Sequence, residues 1–191
     1  MNEAPTLATE RLILRGFQRA DFEAIYRIGA DESITRYMGG PVIVRSTAWE
    51  KFLRGPAMWP MLGYGMWIVE RRSDGVVLGQ IGFADFMREM EPPLADVPEM
   101  AWVLGGGVLG GGGKETSLGQ GYGSEALAAV LAWGDAHLGA DKYPKFQCII
   151  APENIPSLRL AQKFGFAEIR RTDYKDSIVV VLERPTNFAE K

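Results

Sequence analysis

The sequence predicts an α+β fold, in which helices lie on a mixed and mostly antiparallel sheet of about seven strands. Three observations support this prediction. Polar and apolar residues alternate in RLILR (Arg11 to Arg15), which is typical of a strand. Two apolar runs flank Asp74-Gly75, a dipeptide that favours a tight hairpin. Further along, KFQCIIA predicts a strand that is followed by a helix and another strand.

The first helix is predicted within RADFEAIYRIG. Phe22, Ile25 and Ile28 recur there at helical spacing, and Asp21 is a residue type that favours the N-cap position. A short helix is expected from Ser46 to Leu53, after which the chain enters the predicted hairpin.

The second half contains the remaining predicted elements. These are a strand from Glu99 to Leu104, a helix from Ser124 to Leu138, a helix from Pro156 to Phe164 that Gly165 ends, and two closing strands, FAEIRR and SIVVVLE. No internal repeat or linker interrupts the series. We therefore expect a single domain over residues 1–191.

Composition excludes several classes of protein. The formal net charge is −3, which argues against a nucleic-acid-binding role. No apolar run has the length of a membrane span, and the first residues lack a signal-peptide pattern. Cys148 is the single cysteine, so no internal disulfide can form and a cytoplasmic location is expected. One histidine and one cysteine also argue against a metal site of the zinc type.

The segment from Gly105 to Val130 contains ten glycines and then becomes rich in Ala, Leu and Val. It resembles a nucleotide P-loop only superficially. The P-loop pattern requires glycine at the position of Val108 and Ser or Thr at the position of Glu115. The dinucleotide pattern G-x-G-x-x-G fails because residue 126 is alanine, and no acidic residue follows at the required place.

The end of this segment, GQGYGSEA, is more informative. Glycines at alternate positions (Gly119, Gly121 and Gly123) allow unusual φ angles and expose successive backbone N–H groups just before a predicted helix. With the positive end of the helix dipole, they predict an anion site suited to a pyrophosphate. The alternative is a glycine-rich turn into a helix, with Ser124 or Gly123 near the cap.

Two segments together resemble the GNAT superfamily of N-acetyltransferases, and within it the subgroup that includes the ribosomal-protein N-terminal acetyltransferases. They are LGQGYGSEALAAVLAWGDAHLG and CIIAPENIPSLRLAQKFGFAEIRR. The superfamily pattern [QR]-x-x-G-x-[GA], with a later Asn, a small residue and Gly-Phe, matches Gly121, Gly123, Asn154, Ser157, Gly165 and Phe166. The N-terminal TERLILRGFQRADFEAIYRI and the hairpin are also similar, so the resemblance covers nearly the whole chain.

The resemblance implies acetyl-CoA as cosubstrate, direct transfer to a primary amine in a ternary complex, and helices on both faces of the sheet. It also implies a V-shaped splay between two parallel central strands, Glu99 to Leu104 and Lys145 to Ile150, which receives the pantetheine arm. The implied cofactor-binding residues are Val103, Leu104, Gly119, Gln120, Gly121, Tyr122, Gly123, Ser124, Asn154 and Ser157. Backbone N–H groups near Val103 and Leu104 would stabilise the oxyanion.

The resemblance does not supply a catalytic acid, because Ala161 occupies the position where many relatives carry a tyrosine acid. We expect Glu99 to accept the proton of the amine, the alternative being a structural carboxylate bonded to a neighbour. Ser157 is expected to donate a hydrogen bond to the departing sulfur, the alternative being a serine that satisfies helix backbone groups. Cys148 is expected to be a packed strand residue rather than a nucleophile.

Two further departures from the superfamily pattern concern the glycine-rich loop. Leu118 replaces the usual Gln or Arg, and residues Gly105 to Leu118 form an insertion before Gly119. From Gly105 to Thr116 we expect a flexible flap, with Lys114 able to approach the phosphates. The competing interpretation is a passive, solvent-exposed insertion.

Other conspicuous residues are expected to be structural. His137 is expected to pack at a helix end, and WEKFLRGPAMWPML (Trp49, Met58, Trp59 and Met61) to pack under a connection rather than to wall a pocket. The acidic loop (Glu89, Glu91 and Asp96) suits a cationic acceptor, although a solvated loop is the ordinary interpretation.

The expected function is therefore acetyl transfer to a peptide N-terminus or a small-molecule amine. The alternatives are a non-catalytic acyl-CoA-binding module and, remotely, a phosphate-loop nucleotide-binding protein. Expected partners are the amine substrate alone, without nucleic acid or membrane, and the protein is expected to be a monomer or homodimer.

Overall fold

The computed structural model describes residues 3–37, 44–105, 119–139 and 142–186, with the side chain of Thr35 left aside. The strands are β1 (Leu7–Ala8), β2 (Leu12–Arg15), β3 (Met66–Arg71), β4 (Val77–Ala84), β5 (Glu99–Leu104), β6 (Lys145–Ile150), β7 (Ala167–Tyr174) and β8 (Ser177–Pro185). The helices are α1 (Phe22–Ala30), α2 (Glu32–Thr35), α3 (Arg45–Leu62), α4 (Tyr122–His137) and α5 (Ile155–Lys163), and a 3-10 turn (Arg19–Asp21) precedes α1.

The eight strands form one sheet in the order β1-β2-β3-β4-β5-β6-β8-β7. The pairs β1–β2, β2–β3, β3–β4, β6–β8 and β7–β8 are antiparallel, whereas β5 and β6 are parallel. The predicted mixed sheet with a parallel pair is therefore confirmed. One strand more than expected is present, because β1 has only two residues and is too short to give an alternating pattern.

The described chain divides into two compact units. The first contains residues 3–36, 44–84, 101–105 and 119–130, and the second contains residue 37 and residues 85–100, 131–139 and 142–186. The single domain expected over 1–191 stays a prediction.

In the first unit, β2 and β3 place Leu14 opposite Val69, both fully buried. The predicted hairpin is confirmed. Gly75 has a left-handed φ of 72° at its turn, and Arg71 pairs with Asp74 at 2.7 Å. A side chain at this φ is strained, which explains why the dipeptide predicts the turn.

Asp21 occupies the N-cap position of α1, as predicted, but its side chain does not cap the helix. Its backbone is already helical (φ −72°, ψ −18°) and its carboxylate makes no cap bond to α1. The carboxylate instead accepts hydrogen bonds from the Gln18 N–H at 2.7 Å and from the Arg15 guanidinium at 2.8 Å. The carboxylate thus binds the backbone at the start of the preceding 3-10 turn and pairs with Arg15 instead of capping α1.

Helix α3 is longer than the short helix predicted from Ser46 to Leu53, because it continues to Leu62 with Pro56 and Pro60 inside it. A proline removes one backbone donor and disfavours a helix interior. Tertiary contacts offset this loss: Trp59 is 1% exposed, packs edge-to-face on Trp67 at 4.6 Å, and donates its indole N–H to the Met66 carbonyl. Gly63, at φ 78°, ends the helix.

In the second unit, β6 lies between β5 and β8. Glu99 is the β5 residue opposite Gln147 of β6, and the Gln147 N–H donates to the Pro98 carbonyl at 3.3 Å. Gln147 also receives the Ala95 N–H, so the loop before β5 is attached to the same strand. The splay of β5 from β6 beyond this pair stays a prediction.

Candidate active site

The glycine-rich loop lies in the first unit and leads into α4. Gly119 and Gly121 have left-handed φ angles of 80° and 82°. A Cβ on Gly119 would meet nothing within 4 Å, and one on Gly121 would lie 3.4 Å from Nη2 of Arg11. The expectation of unusual backbone angles is confirmed at both glycines, and the loop offers open space beside its backbone.

Helix α4 begins at Tyr122, two residues before the predicted start. The Gly121 carbonyl accepts the Glu125 N–H at 3.1 Å and closes the first turn. Gly123 therefore lies inside the helix, and its expected unusual φ is wrong. Gly123 and Ser124 lie in the first turn, near the cap, so the alternative of a glycine-rich turn into a helix stays open. The first N–H groups of a helix have no intrahelical acceptor, so Tyr122, Gly123 and Ser124 lie where an anion binds well.

Strand β5 is held closely against β4. Gly79 has a φ of 146°, and a Cβ there would overlap the carbonyl oxygen of Val103. The next N–H after the strand, from the buried Gly105, donates to the Leu78 carbonyl at 2.9 Å. Val103 and Leu104, the residues predicted to serve the oxyanion, are half-buried and lie on a strand whose position is fixed by this close approach.

Glu99 lies at the start of β5 in the second unit and is 5% exposed. Arg88 holds its carboxylate with Nε–Oε2 at 2.7 Å and Nη2–Oε1 at 2.8 Å. Nη1 of Arg88 donates to the Tyr174 hydroxyl at 3.0 Å. Arg88 is thus the bonded neighbour that the structural interpretation of Glu99 anticipated. The role of Glu99 as a general base stays a prediction.

The electrostatics of Glu99 are set by two opposing effects. Burial raises the pKa of Glu99 above its ordinary value, and the hydrogen bonds and charge of Arg88 oppose that rise. The charge of Asp85 contributes further to the rise. Burial also raises the pKa of the Cys148 thiol well above its usual value, with the Glu99 charge adding to it. A thiol that stays protonated is a poor nucleophile, which agrees with a packed Cys148.

Asn154 and Ser157 lie at the start of α5 in the second unit. Oδ1 of Asn154 accepts the Ser157 N–H at 3.2 Å, so Asn154 is the N-cap of this helix. Pro156 lies in the first turn, a position where its missing N–H removes no helix hydrogen bond. Ala161, at the position of the absent tyrosine, is fully buried.

Most of the residues expected to be structural have packing partners. His137 stacks on Trp133 at 4.8 Å near the end of α4, and Trp49 stacks on Phe52 at 5.6 Å. Met58 is half-buried, whereas Met61 is 80% exposed. The acidic residues Glu89, Glu91 and Asp96 are exposed. The insertion after Gly105, including Lys114 and Leu118, lies outside the described residues.

Sequence reasoning missed Arg88, Tyr174 and Arg11. Their partners lie 11, 86 and up to 114 residues away along the chain, so no local pattern indicates them. Over the described ranges, no group of three His, Cys, Asp or Glu side chains is placed to hold a metal ion. No helix among these residues is long and apolar enough to cross a membrane.

Comparison with known proteins gives a consistent result. Residues 11–167 match the family described as acetyltransferase (GNAT) domain. Two relatives from Bacillus subtilis (strain 168) are the uncharacterized N-acetyltransferases YnaD, 25% identical over 83% of this chain and 81% of its own, and YoaA, 28% identical over 85% and 82%. A putative GnaT-family acetyltransferase from Bordetella pertussis has a TM-score of 0.76 and 26% identity, over 95% of this chain and 99% of its own.

More distant structures support the fold alone. The ribosomal L7/L12 alpha-N-protein acetyltransferase RimL, in complex with coenzyme A, has a TM-score of 0.70 at 14% identity, over 96% of this chain and 99% of its own. The spermidine N-acetyltransferase from Vibrio cholerae, in complex with CoA and spermine, has a TM-score of 0.66 at 14% identity, over 93% of this chain and 97% of its own. Because the family match spans well over half of its residues, this chain belongs to the GNAT family and is an N-acetyltransferase that transfers acetyl groups to an amine.

Proposed function

We propose that this enzyme takes its acetyl group from acetyl-CoA and transfers it directly to a primary amine bound beside it. The observation that carries the proposal is the pair of left-handed glycines at the start of α4. Residues with side chains adopt this conformation at a cost, and the backbone next to Gly119 is open. An open backbone before a helix suits a doubly charged pyrophosphate.

The cofactor-binding residues that we propose fall into two sets. The pyrophosphate is held by backbone N–H groups of Gly119, Gln120, Gly121, Tyr122, Gly123 and Ser124. The pantetheine arm is held by the backbone of Val103 and Leu104, as an added strand would be, and by Asn154. Because Oδ1 of Asn154 already accepts the Ser157 N–H, its side-chain amide nitrogen is the group left to meet a carbonyl of the arm.

Glu99 is the proposed general base. A carboxylate has about four acceptor positions, and Arg88 takes three contacts with it. The remaining acceptor position receives the amine proton, directly or through a water molecule. Burial gives the carboxylate a raised pKa, which strengthens it as a base, while Arg88 keeps it ionised enough to act.

The acetyl transfer forms one bond and breaks another. The amine nitrogen forms a bond to the thioester carbonyl carbon, and the bond from that carbon to sulfur breaks. Backbone N–H groups near Val103 and Leu104 stabilise the negative charge on the oxygen. The Ser157 hydroxyl donates a hydrogen bond to the departing sulfur. Glu99 takes the proton that the nitrogen loses, and no metal or acyl-enzyme is required.

We propose two classes of acceptor, peptide N-termini and small polyamines. Two distantly similar structures, the ribosomal-protein acetyltransferase RimL and the spermidine N-acetyltransferase, motivate the choice. The exposed carboxylates of Glu89, Glu91 and Asp96 favour a cationic acceptor. A cytoplasmic location and a monomeric or dimeric state stay predictions.

The test is release of free thiol from acetyl-CoA in the presence of a panel of peptides, polyamines and aminoglycosides. We expect release that depends on at least one amine and an acetylated product by mass spectrometry. Binding of acetyl-CoA without release for any amine would favour the non-catalytic module. Tight binding of ATP with Mg²⁺ in place of acetyl-CoA would contradict the cofactor assignment.

A further inference from the structure

Glu125 gathers three hydrogen bonds from the N-terminal segment in the first unit. It lies in the first turn of α4 and its side chain is 17% exposed. Oε1 accepts the Thr9 hydroxyl at 2.6 Å and the Arg11 N–H at 2.7 Å, and Oε2 accepts Nε of Arg11 at 2.7 Å. Burial would raise the pKa of Glu125, but these hydrogen bonds outweigh it and lower the pKa. The carboxylate is therefore an ionised anchor for the segment that precedes β2.

The Arg11 guanidinium continues from this anchor onto the glycine-rich loop. Nη1 donates to the Gln120 carbonyl at 2.9 Å, and Nη2 lies 3.4 Å from the Cβ position of Gly121. The guanidinium carbon lies 4.6 Å from the centre of the Tyr122 ring, within cation–π range. A single side chain thus binds Gln120, lies against the Tyr122 ring at the start of α4 and borders the space beside Gly121.

The bond to Gln120 has a consequence for the next N–H group. A trans peptide is planar, with its carbonyl and its N–H on opposite sides. Fixing the Gln120 carbonyl on Arg11 therefore fixes the direction of the Gly121 N–H. Gly121 on one side of this peptide, with Gly119 one residue before Gln120, would otherwise leave it free to rotate, because glycine has more accessible conformations than any other residue.

We propose that Arg11, anchored by Glu125, is a positioning residue that holds the Gln120–Gly121 peptide in the conformation that receives the cofactor's pyrophosphate. It supplies from the N-terminal segment a guanidinium that the loop lacks in its own sequence, where the first motif position is Leu118. This inference rests on the proposed acetyl-CoA site and assigns to it a residue outside the motif.

The test compares Arg11→Met with the matched control Arg171→Met, which removes an exposed arginine that pairs with Glu168 on β7 at 2.9 Å. Calorimetry measures the affinity for CoA and for adenosine 3′-phosphate 5′-diphosphate, which keeps the pyrophosphate and lacks the pantetheine arm. In Arg11→Met we expect both dissociation constants to rise about tenfold, because a charge-assisted hydrogen bond that orders the loop is lost. Arg171→Met should bind both ligands as the wild type does.

Two further variants separate positioning from loss of folding. Arg11→Lys keeps the charge but lacks the planar fork that spans Glu125 and Gln120, so it should bind nearly as weakly as Arg11→Met. Glu125→Gln should weaken binding in the same direction while remaining folded. At saturating acetyl-CoA, kcat should stay within about twofold in all folded variants, because a positioning effect on the loop appears in KM.

Equal affinity of wild type and Arg11→Met for both ligands would overturn this inference and leave the proposed function intact. Full rescue by Arg11→Lys would overturn it too, because charge alone would then suffice. A wild-type chain that binds CoA without binding the pyrophosphate fragment would remove both the loop assignment and this inference. If Arg11→Met does not fold, unchanged binding in Glu125→Gln and Arg11→Lys overturns it.

Discussion

Replacing Gly121 with alanine tests the loop where its backbone is most demanding. Gly121 has a φ of 82°, and left-handed backbone costs a residue with a side chain about 1–2 kcal/mol. The new Cβ would lie 3.4 Å from Nη2 of Arg11, a contact that the flexible arginine can relieve. The stability loss is therefore set by the backbone. A chain of this size loses roughly 2–4 °C in Tm for each kcal/mol.

Gly75→Ala provides a matched control for that strain. Gly75 has a φ of 72° in the β3–β4 turn, and a Cβ there would meet nothing within 4 Å. Both variants should lose similar stability by thermal denaturation. Only Gly121→Ala should lose CoA affinity, because its methyl group enters the space proposed for the pyrophosphate.

The expected loss of affinity follows from the charged hydrogen bonds that the methyl group disturbs. Each such bond contributes about 1.5–3 kcal/mol, so the CoA dissociation constant should rise about 10- to 100-fold. Calorimetry on the folded variants measures this. If Gly121→Ala binds CoA as tightly as Gly75→Ala does, the phosphate-loop assignment is wrong.

The other predictions concern the catalytic groups and the second motif glycine. In Arg88→Met, burial is no longer opposed and the pKa of Glu99 rises further, so the acidic limb of kcat/KM should move to higher pH; an unmoved limb would exclude Glu99 as the base. Because this folded pKa exceeds the unfolded value, the contribution of Glu99 to stability is present below the ordinary glutamate pKa and declines as pH rises through the folded pKa. Arg88→Met should therefore lose more Tm between acid and neutral pH than the wild type loses. Ser157→Ala should lower kcat about tenfold with little change in KM for acetyl-CoA, and normal turnover would assign Ser157 a structural role. Gly123→Ala should be as stable as the wild type or more so, because Gly123 is helical, but should bind CoA more weakly; unchanged affinity would remove Gly123 from the site.

Sequence patterns predicted those features that depend on a few neighbouring residues. The hairpin at Gly75 and the left-handed loop glycines follow from the conformational freedom of glycine. The bounds of β5 were predicted to the residue, because its apolar run ends where the glycines begin. Resemblance to a family supplied the assignment of acetyl-CoA, which no pattern of spacing gives.

Features that depend on tertiary contacts could not be predicted. Helix α3 passes through Pro56 and Pro60 because Trp59 is buried against Trp67 beyond the helix end. Asp21 lies at the predicted N-cap of α1, but its carboxylate binds Arg15 and the Gln18 N–H rather than the helix. A sequence states which charges exist but not which pairs the folded chain brings together.

Arg88 shows the same limitation at the candidate site. It lies in a polar loop that predicts only solvent exposure, yet it holds the buried Glu99 and contacts Tyr174. From the sequence alone, Glu99 could be interpreted as a general base or as a structural carboxylate bonded to a neighbour. The structure shows that Arg88 is the partner of Glu99, and the pH profile of Arg88→Met distinguishes the two interpretations.

A single-turnover experiment with labelled acetyl-CoA distinguishes direct transfer to an amine from transfer through an acyl-enzyme. The enzyme is mixed with labelled acetyl-CoA and the best amine of the panel, and the reaction is quenched over time. Intact-mass analysis then follows the label on the protein and on the amine. We expect the label to appear in the amine at the rate at which it leaves CoA, and the protein, including Cys148, to stay unlabelled. Label that accumulates on the protein before it reaches the amine, or that never reaches an amine, would exclude direct transfer.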